Sequence, residues 1–191
     1  MRIRNVAAGA ILATLILFWS LANAQGQARP VPEVPFVPTT DAAVQEMLKL
    51  ANVKSSDLVY DLGCGDGRIV IAAAKTYGAH GVGIDIDPQR IKEAKENARK
   101  AGVENLVRFE ENDLFKADIH EASVVTLFLL SSVNLRLRPK LQNDLKPGTR
   151  IVSNTFDMGD WKADKETTVA TEPPGAFLSR RLFLWIIPER K

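Results

Sequence analysis

Three glycines spaced two apart, directly after a short apolar run, constrain this chain more than any other feature in it. Leu58 to Arg68 reads Leu-Val-Tyr-Asp-Leu-Gly-Cys-Gly-Asp-Gly-Arg, with glycines at 63, 65 and 67. The apolar run predicts a buried strand, the glycines a turn, and Arg68 to Lys75 a helix. Glycines in such a turn accept positive φ and let a ligand lie against bare backbone. The first helical turn offers unpaired N–H groups and the positive end of a dipole, where an anionic group is favoured. Strand, turn and helix together predict a nucleotide-type pocket.

Spacing separates two kinds of pocket. A dinucleotide fingerprint, Gly-x-Gly-x-x-Gly, would place its third glycine at Arg68, whereas here it stands at Gly67 and an acid, Asp61, lies near the strand end. Asp61-Leu-Gly63-Cys-Gly65-Asp-Gly67 instead resembles the first motif of class I S-adenosylmethionine-dependent methyltransferases. Cys64, the chain's single cysteine, sits inside this turn without an obvious base, so it reads as a small packing residue and not as a nucleophile. The resemblance implies that Asp61, Gly63, Cys64, Gly65 and Gly67 line the S-adenosylmethionine site.

Downstream, strand and helix patterns alternate. Gly81 to Ile86 reads as a second strand, and Asp87 with Pro88 opens a helix bearing Ile91, Ala94 and Ala98 on one face, which Gly102 stops. Val107 to Glu110 gives a third strand, Val124 to Leu130 a fourth, and Val133, Leu137, Leu141 and Leu145 the stripe of a helix. A fifth strand is expected near Arg150 to Ser153. Upstream, Thr40 is expected to cap a helix packed through Val44, Met47, Leu48 and Ala51. The pattern predicts an α/β fold, a doubly wound and mostly parallel sheet with ligands at the carboxyl ends of its strands. Thr167 to Ala170 and Arg181 to Ile187 add two strands around Glu172-Pro173-Pro174-Gly175. Seven strands ending in such a hairpin resemble the Rossmann-like class I methyltransferase sheet, whose last strand is antiparallel.

Two acids follow the motif in order. Asp85, 24 residues after Asp61, stands where a doubly wound fold places a carboxylate on ribose hydroxyls, with Ile86 beside it. Asp87 is the competitor, but its place before Pro88 marks it as a helix cap. Asp113 resembles the acid that meets the adenine amino group in these enzymes, with Asn112 and Leu114 flanking the base. The competing reading of Asn112 and Asp113 is a turn held by their own backbone bonds. At the fourth strand's end, Leu129-Leu130-Ser131-Ser132-Val133-Asn134 replaces the Asp/Asn-Pro-Pro-Tyr/Phe clamp of base-methylating enzymes; Leu129 is expected to face the cofactor. His80 and His120 read as loop residues, so neither a metal site nor a histidine base is indicated.

Composition bounds the partners. With Arg2 and Arg4 set aside, 23 basic residues stand against 23 acidic ones, and no basic stripe argues for nucleic acid. Those two arginines precede an apolar run from Val6 to Leu21 and the small-x-small Ala22-Asn23-Ala24. Residues 1–24 therefore read as a secretory signal, or as a membrane anchor if uncleaved, and either places the domain outside the cytoplasm. Residues 25–38, with prolines at 30, 32, 35 and 38, read as a linker, and 39–191 as the domain.

Pro35-Phe36-Val37-Pro38-Thr39-Thr40 and Ser153-Asn154-Thr155-Phe156-Asp157-Met158-Gly159-Asp160-Trp161, taken with the first motif, resemble a small single-domain group. It includes the lysine methyltransferases of adenine nucleotide translocase and of ATP synthase subunit c. The resemblance spans about Phe36 to Pro188 and implies N-methylation of a protein lysine, with Asp157 the candidate to orient or deprotonate the amine. The secretory start departs from that group. A small-molecule methyltransferase and an exported, non-catalytic binding module remain the alternatives.

Overall fold

Strand and helix alternate as expected through helix α1 (Asp41–Leu50), β1 (Leu58–Leu62), α2 (Arg68–Tyr77), β2 (His80–Asp85), α3 (Pro88–Ala101), β3 (Val107–Glu111), β4 (Val124–Leu127), α4 (Ser131–Asp144), β5 (Arg150–Asn154), β6 (Lys165–Val169) and β7 (Arg180–Ile186). The computed structural model describes residues 36–169 and 180–190, which fall in one unit spanning 31–191. The segment read as a signal or anchor, the linker before Phe36 and the Glu172 to Gly175 turn lie outside the described residues.

The strands form one sheet in the order β3-β2-β1-β4-β5-β7-β6. Pairs from β3 through β5 are parallel, while β7 runs antiparallel to both β5 and β6. The strand order reverses between β1 and β4, so the crevice for a ligand opens there. Each face of the sheet carries its own apolar layer. Val59, Val124, Val152, Leu182 and Leu184 meet the helices α1, α2 and α3 on one side. Leu62, Val125, Leu127, Ile151 and Trp185 meet α4 and the chain around Ile119 on the other.

Local chemistry sets the helix ends that matter. The Ala43 N–H donates to the Thr40 hydroxyl (3.4 Å) at the start of α1, whose Met47 and Leu48 are fully buried. Burying side chains of that size stabilises by about 1.5–3 kcal/mol each. At α3 the Gln89 N–H donates to the Asp87 carboxylate (2.8 Å), and Gly102 ends the helix with φ 70°.

Several boundaries differ from the sequence reading. β4 stops at Leu127, because Phe128 to Leu130 leave the sheet to reach α4, and Leu130 already has the extended backbone of a helix cap. β2 starts at His80 and ends at Asp85, so His80 is a strand residue and Ile86 lies past the strand. α2 runs to Tyr77 because Gly78, with φ 69°, is the first residue able to end it. β6 begins at Lys165, two residues early, and Ala170 lies outside the described residues.

Candidate active site

The glycine turn is closed on itself. The Gly63 and Cys64 N–H groups both donate to the Ile84 carbonyl (2.8 and 2.9 Å), the Gly65 N–H to Asp85 Oδ2 (2.8 Å), and the Gly67 N–H to the Cys64 carbonyl (2.9 Å). Asp66 occupies the start of α2, where Arg68 gives it both a backbone N–H (3.3 Å) and its guanidinium (2.6 Å). Burial works to raise the Asp66 carboxyl, but the bonds and charge of Arg68 outweigh it and hold the group below its ordinary value. The helix end that was expected to welcome an external anion therefore carries the chain's own. This turn serves a ligand by shape and not as a phosphate cradle, which suits a nucleoside without phosphate.

Two of the glycines are dictated by close approach. Gly65 has φ 53°, and a Cβ there would stand 2.3 Å from the Phe36 ring. Gly67 has φ 79°, and a Cβ there would meet Phe109 at 2.6 Å. Phe36 is half-exposed and lies under the Arg90 guanidinium, 4.7 Å from the ring centroid. The Thr39 carbonyl accepts from Arg68 (2.7 Å). Phe36 to Thr39 is thus strapped across the glycine turn, a placement that the resemblance of this stretch to its family did not explain.

Asp85 is the hinge of this half. Its Oδ2 takes the Gly65 N–H and its Oδ1 takes the Asp87 N–H (3.0 Å), so the carboxylate is fixed at the end of β2 with further lone pairs to offer a diol. Asp61 is buried beneath the turn, with Thr126 Oγ1 donating to it at 2.8 Å. Burial pushes its carboxyl up to about 7, Thr126 opposes this, and the charges of Asp85 and Asp66 add to it. A cationic ligand group above the turn would restore its charge. Cys64 points inward, and burial raises its thiol, consistent with a packing residue. Asn112 and Asp113 both serve their own turn: the Asp113 N–H donates to Asn112 Oδ1 (2.8 Å) and the Phe115 N–H to Asp113 Oδ1 (2.9 Å). Asp113 remains part-exposed just past the end of β3, after half-buried Asn112, whose N–H donates to the Asp85 carbonyl (2.9 Å), and Ile86 is half-buried past the end of β2.

Across the crevice, Leu129 is 4% exposed and lies so close to Gly63 that a Cβ there would meet it at 2.9 Å. Phe128 stacks on Phe156 with centroids 6.2 Å apart, and the Arg180 guanidinium lies 5.0 Å from the Phe128 centroid. Asp157 is exposed, and its Oδ1 takes the Gly159 N–H (3.1 Å), the task of a loop acid shaping a turn. What the fold holds is its carbonyl. Asn134, fully buried on α4, donates to the carbonyls of Phe156 (3.2 Å) and Asp157 (3.3 Å) and to the Ser153 hydroxyl (3.2 Å). The part Asn134 plays in holding this loop was missed. The signal was present at Asn134, a polar residue inside the Val133, Leu137, Leu141 stripe. Among the described residues there is no cluster of His, Cys, Asp and Glu able to hold a metal, and no helix long and apolar enough to cross a membrane.

Comparison with known proteins agrees with this geometry. The ANTKMT methyltransferase domain family matches residues 61–165. A protein-lysine N-methyltransferase of Saccharolobus islandicus is 44% identical over 84% of this chain and 98% of its own. The adenine nucleotide translocase lysine N-methyltransferase of Mus musculus is 34% identical over 85% of this chain and 71% of its own. A crystal structure of an RNA methyltransferase from Salinibacter ruber, in complex with S-adenosyl-L-homocysteine, is 54% identical, covers 81% of this chain and 96% of its own, and superposes with TM-score 0.74. This chain belongs to the ANTKMT methyltransferase domain family and is an S-adenosylmethionine-dependent methyltransferase.

Proposed function

We propose that the chain N-methylates a lysine side chain of a protein. The observation that carries this reading is the apolar lane at the end of β4, where Leu129 abuts the glycine turn and Phe128 stacks on Phe156. A lysine stem can lie along such a lane with its amine at the far end, whereas a nucleobase finds no Asn-Pro-Pro-Tyr clamp. The lysine methyltransferases among its relatives support the same acceptor.

S-Adenosylmethionine supplies a methyl group already activated on a sulfonium. The residues of the chain therefore bind and align. Asp85 suits the ribose diol, Asp113 the adenine edge, and the buried charge of Asp61 a cationic ligand group above the turn. Leu129 excludes water from the β1/β4 crevice. Holding nucleophile and methyl in line is the main rate advantage open to such a site. A lysine amine, with a reference pKa of about 10.4, must arrive neutral, and an apolar lane favours that form.

A second reading comes from the Salinibacter ruber relative, which is named for RNA. Labelled methyl transfer from S-adenosylmethionine to separated host protein and RNA fractions, with site mapping, decides between them. Label on lysine is the expected result; label confined to RNA or to small metabolites overturns the proposal. The proposal also takes residues 1–24 as an export signal, for which N-terminal sequencing of native protein should return Gln25; an intact Met1 on membrane-bound material makes the segment an anchor.

A further inference from the structure

Asn154 ends β5 and is fully buried, yet its Nδ2 has no hydrogen-bond partner. A buried amide that forgoes its bonds destabilises the free protein, so its retention calls for a ligand group that completes it. Register places it. Thr126 pairs with Asp61 on one side and with Val152 on the other, so alternation puts Asp61, Thr126, Val152 and Asn154 on the α1 face of the sheet. Asn154 lies at the carboxyl end of that row, on the side of the β1/β4 crevice away from the glycine turn. The next residue, Thr155, has φ 71°, a conformation that a β-branched residue adopts only under constraint, and its N–H is fixed to the Arg181 carbonyl (2.7 Å). Nearby, Arg180, whose guanidinium stacks on Phe128, has a buried NH1 that also lacks a partner.

The bond to the Asn154 side chain leaves its amide free to serve either way. Thr155 Oγ1 donates to Asn154 Oδ1 at 3.0 Å, but a hydroxyl accepts as readily as it donates. The amide can turn over, keep that bond, and present Oδ1 to an amine N–H.

We propose that Asn154 is the residue that contacts and orients the acceptor amine, at the end of the lane walled by Phe128 and Phe156. This assignment rests on the lysine reading above. A neutral amine directs its lone pair at the methyl group and its N–H bonds elsewhere, and the Asn154 oxygen receives one of them. The amine nitrogen forms the new bond to carbon, the carbon–sulfur bond breaks with its electrons leaving on sulfur, and the resulting ammonium loses its proton to solvent.

The test uses the full chain with Asn154→Leu and Asn154→Asp. Affinity for S-adenosyl-L-homocysteine is read by calorimetry, melting by calorimetric scan, and methyl transfer by mapped lysines in host protein extract. Leucine keeps the branched shape without an orphan amide, so Asn154→Leu should bind S-adenosyl-L-homocysteine as wild type does and melt no lower. Its lysine methylation should fall about threefold to tenfold, the range expected for one lost hydrogen bond. Asn154→Asp, which keeps an oxygen, should retain much more transfer than Asn154→Leu. Undiminished transfer in Asn154→Leu, a lowered melting temperature, or a loss of S-adenosyl-L-homocysteine affinity parallel to the loss of transfer each overturns the assignment. Absence of lysine label with the wild-type protein overturns the lysine reading itself, whatever the variants do.

Discussion

The two sides of the crevice are finished to different degrees. On the β1-β2-β3 side, the backbone donors of the glycine turn and the carboxylates around it are paired within the chain: Gly63 and Cys64 with Ile84, Gly65 and Asp87 with Asp85, Arg68 with Asp66. On the β4-β5-β7 side lie all three buried side-chain atoms that lack a partner among the described residues: Asn134 Oδ1, Asn154 Nδ2 and Arg180 NH1. A cofactor common to every turnover rewards a pre-formed pocket, because ordering done in advance is not charged against binding. On the proposal above, the acceptor completes the Asn154 amide on the other side when it arrives.

The sharpest way to break this contrast is at Asp85, which holds the turn and to which the proposal assigns the ribose contact. Asp85→Ala removes bonds to a charged acceptor of about 1.5–3 kcal/mol each, so affinity for S-adenosyl-L-homocysteine should fall by roughly two to three orders of magnitude in calorimetry. Wild-type affinity in this variant would remove Asp85 from the site.

Asp61 sharpens it next. Its folded pKa of about 7 lies above the ordinary 3.8, so the folded state binds the extra proton between those values. Stability from the protonated form is fully present below about 3.8 and lost as pH rises through about 7, a ceiling near 4 kcal/mol for a shift of that size. Asp57 and Asp66 have lowered pKa values and act oppositely, in acid. The informative quantity is therefore the difference between proteins. Asp61→Asn, which can still accept from Thr126, should gain melting temperature over wild type as pH goes from 4 to 7. A constant difference across that range would mean that Asp61 ionises freely.

How much of this was legible in the sequence follows the same division. The glycine turn, Asp85 and the helix signals at Asp87, Pro88 and Gly102 were readable because each is local: a residue type answers a backbone need within a few positions. Asp66 was not recognised as the occupant of its own helix end, since that depends on how Arg68 turns back. Asn134 stood out as a polar residue inside an apolar stripe, but its partners on the Phe156–Asp157 loop and the burial of Asn154 did not, because they are set by α4, β5 and β7 meeting from distant parts of the chain. Asp157 was legible as an acid in a suggestive loop, but not that its Oδ1 would take the Gly159 N–H while Asn134 holds its carbonyl.

That loop gives the third prediction. Asn134→Ala leaves the Phe156 carbonyl to the Ser153 hydroxyl alone and the Asp157 carbonyl without a side-chain donor. The loss should cost about 2–3 kcal/mol of folding stability and reduce methyl transfer, with affinity for S-adenosyl-L-homocysteine preserved. Equal losses of cofactor affinity and transfer would show that the two sides of the crevice are not separable.

The smallest expected effect belongs to the strap. Phe36 is not part of the sheet or of either apolar layer, and it meets the cofactor side at the face of Gly65 and under the guanidinium of Arg90. A cation over an exposed ring contributes about 0.5–1 kcal/mol, and the ring's cover over the turn adds a similar amount at most. Phe36→Ala should therefore weaken S-adenosyl-L-homocysteine binding only about threefold to tenfold, mostly through faster dissociation, since a cover retards escape more than entry. Stopped-flow measurement of both rates checks this. Because the Arg68 bond to the Thr39 carbonyl survives the substitution, α1 should stay in place and the melting temperature should be unchanged. A large drop in melting temperature would make Phe36 a packing residue of the fold and not a cover of its ligand.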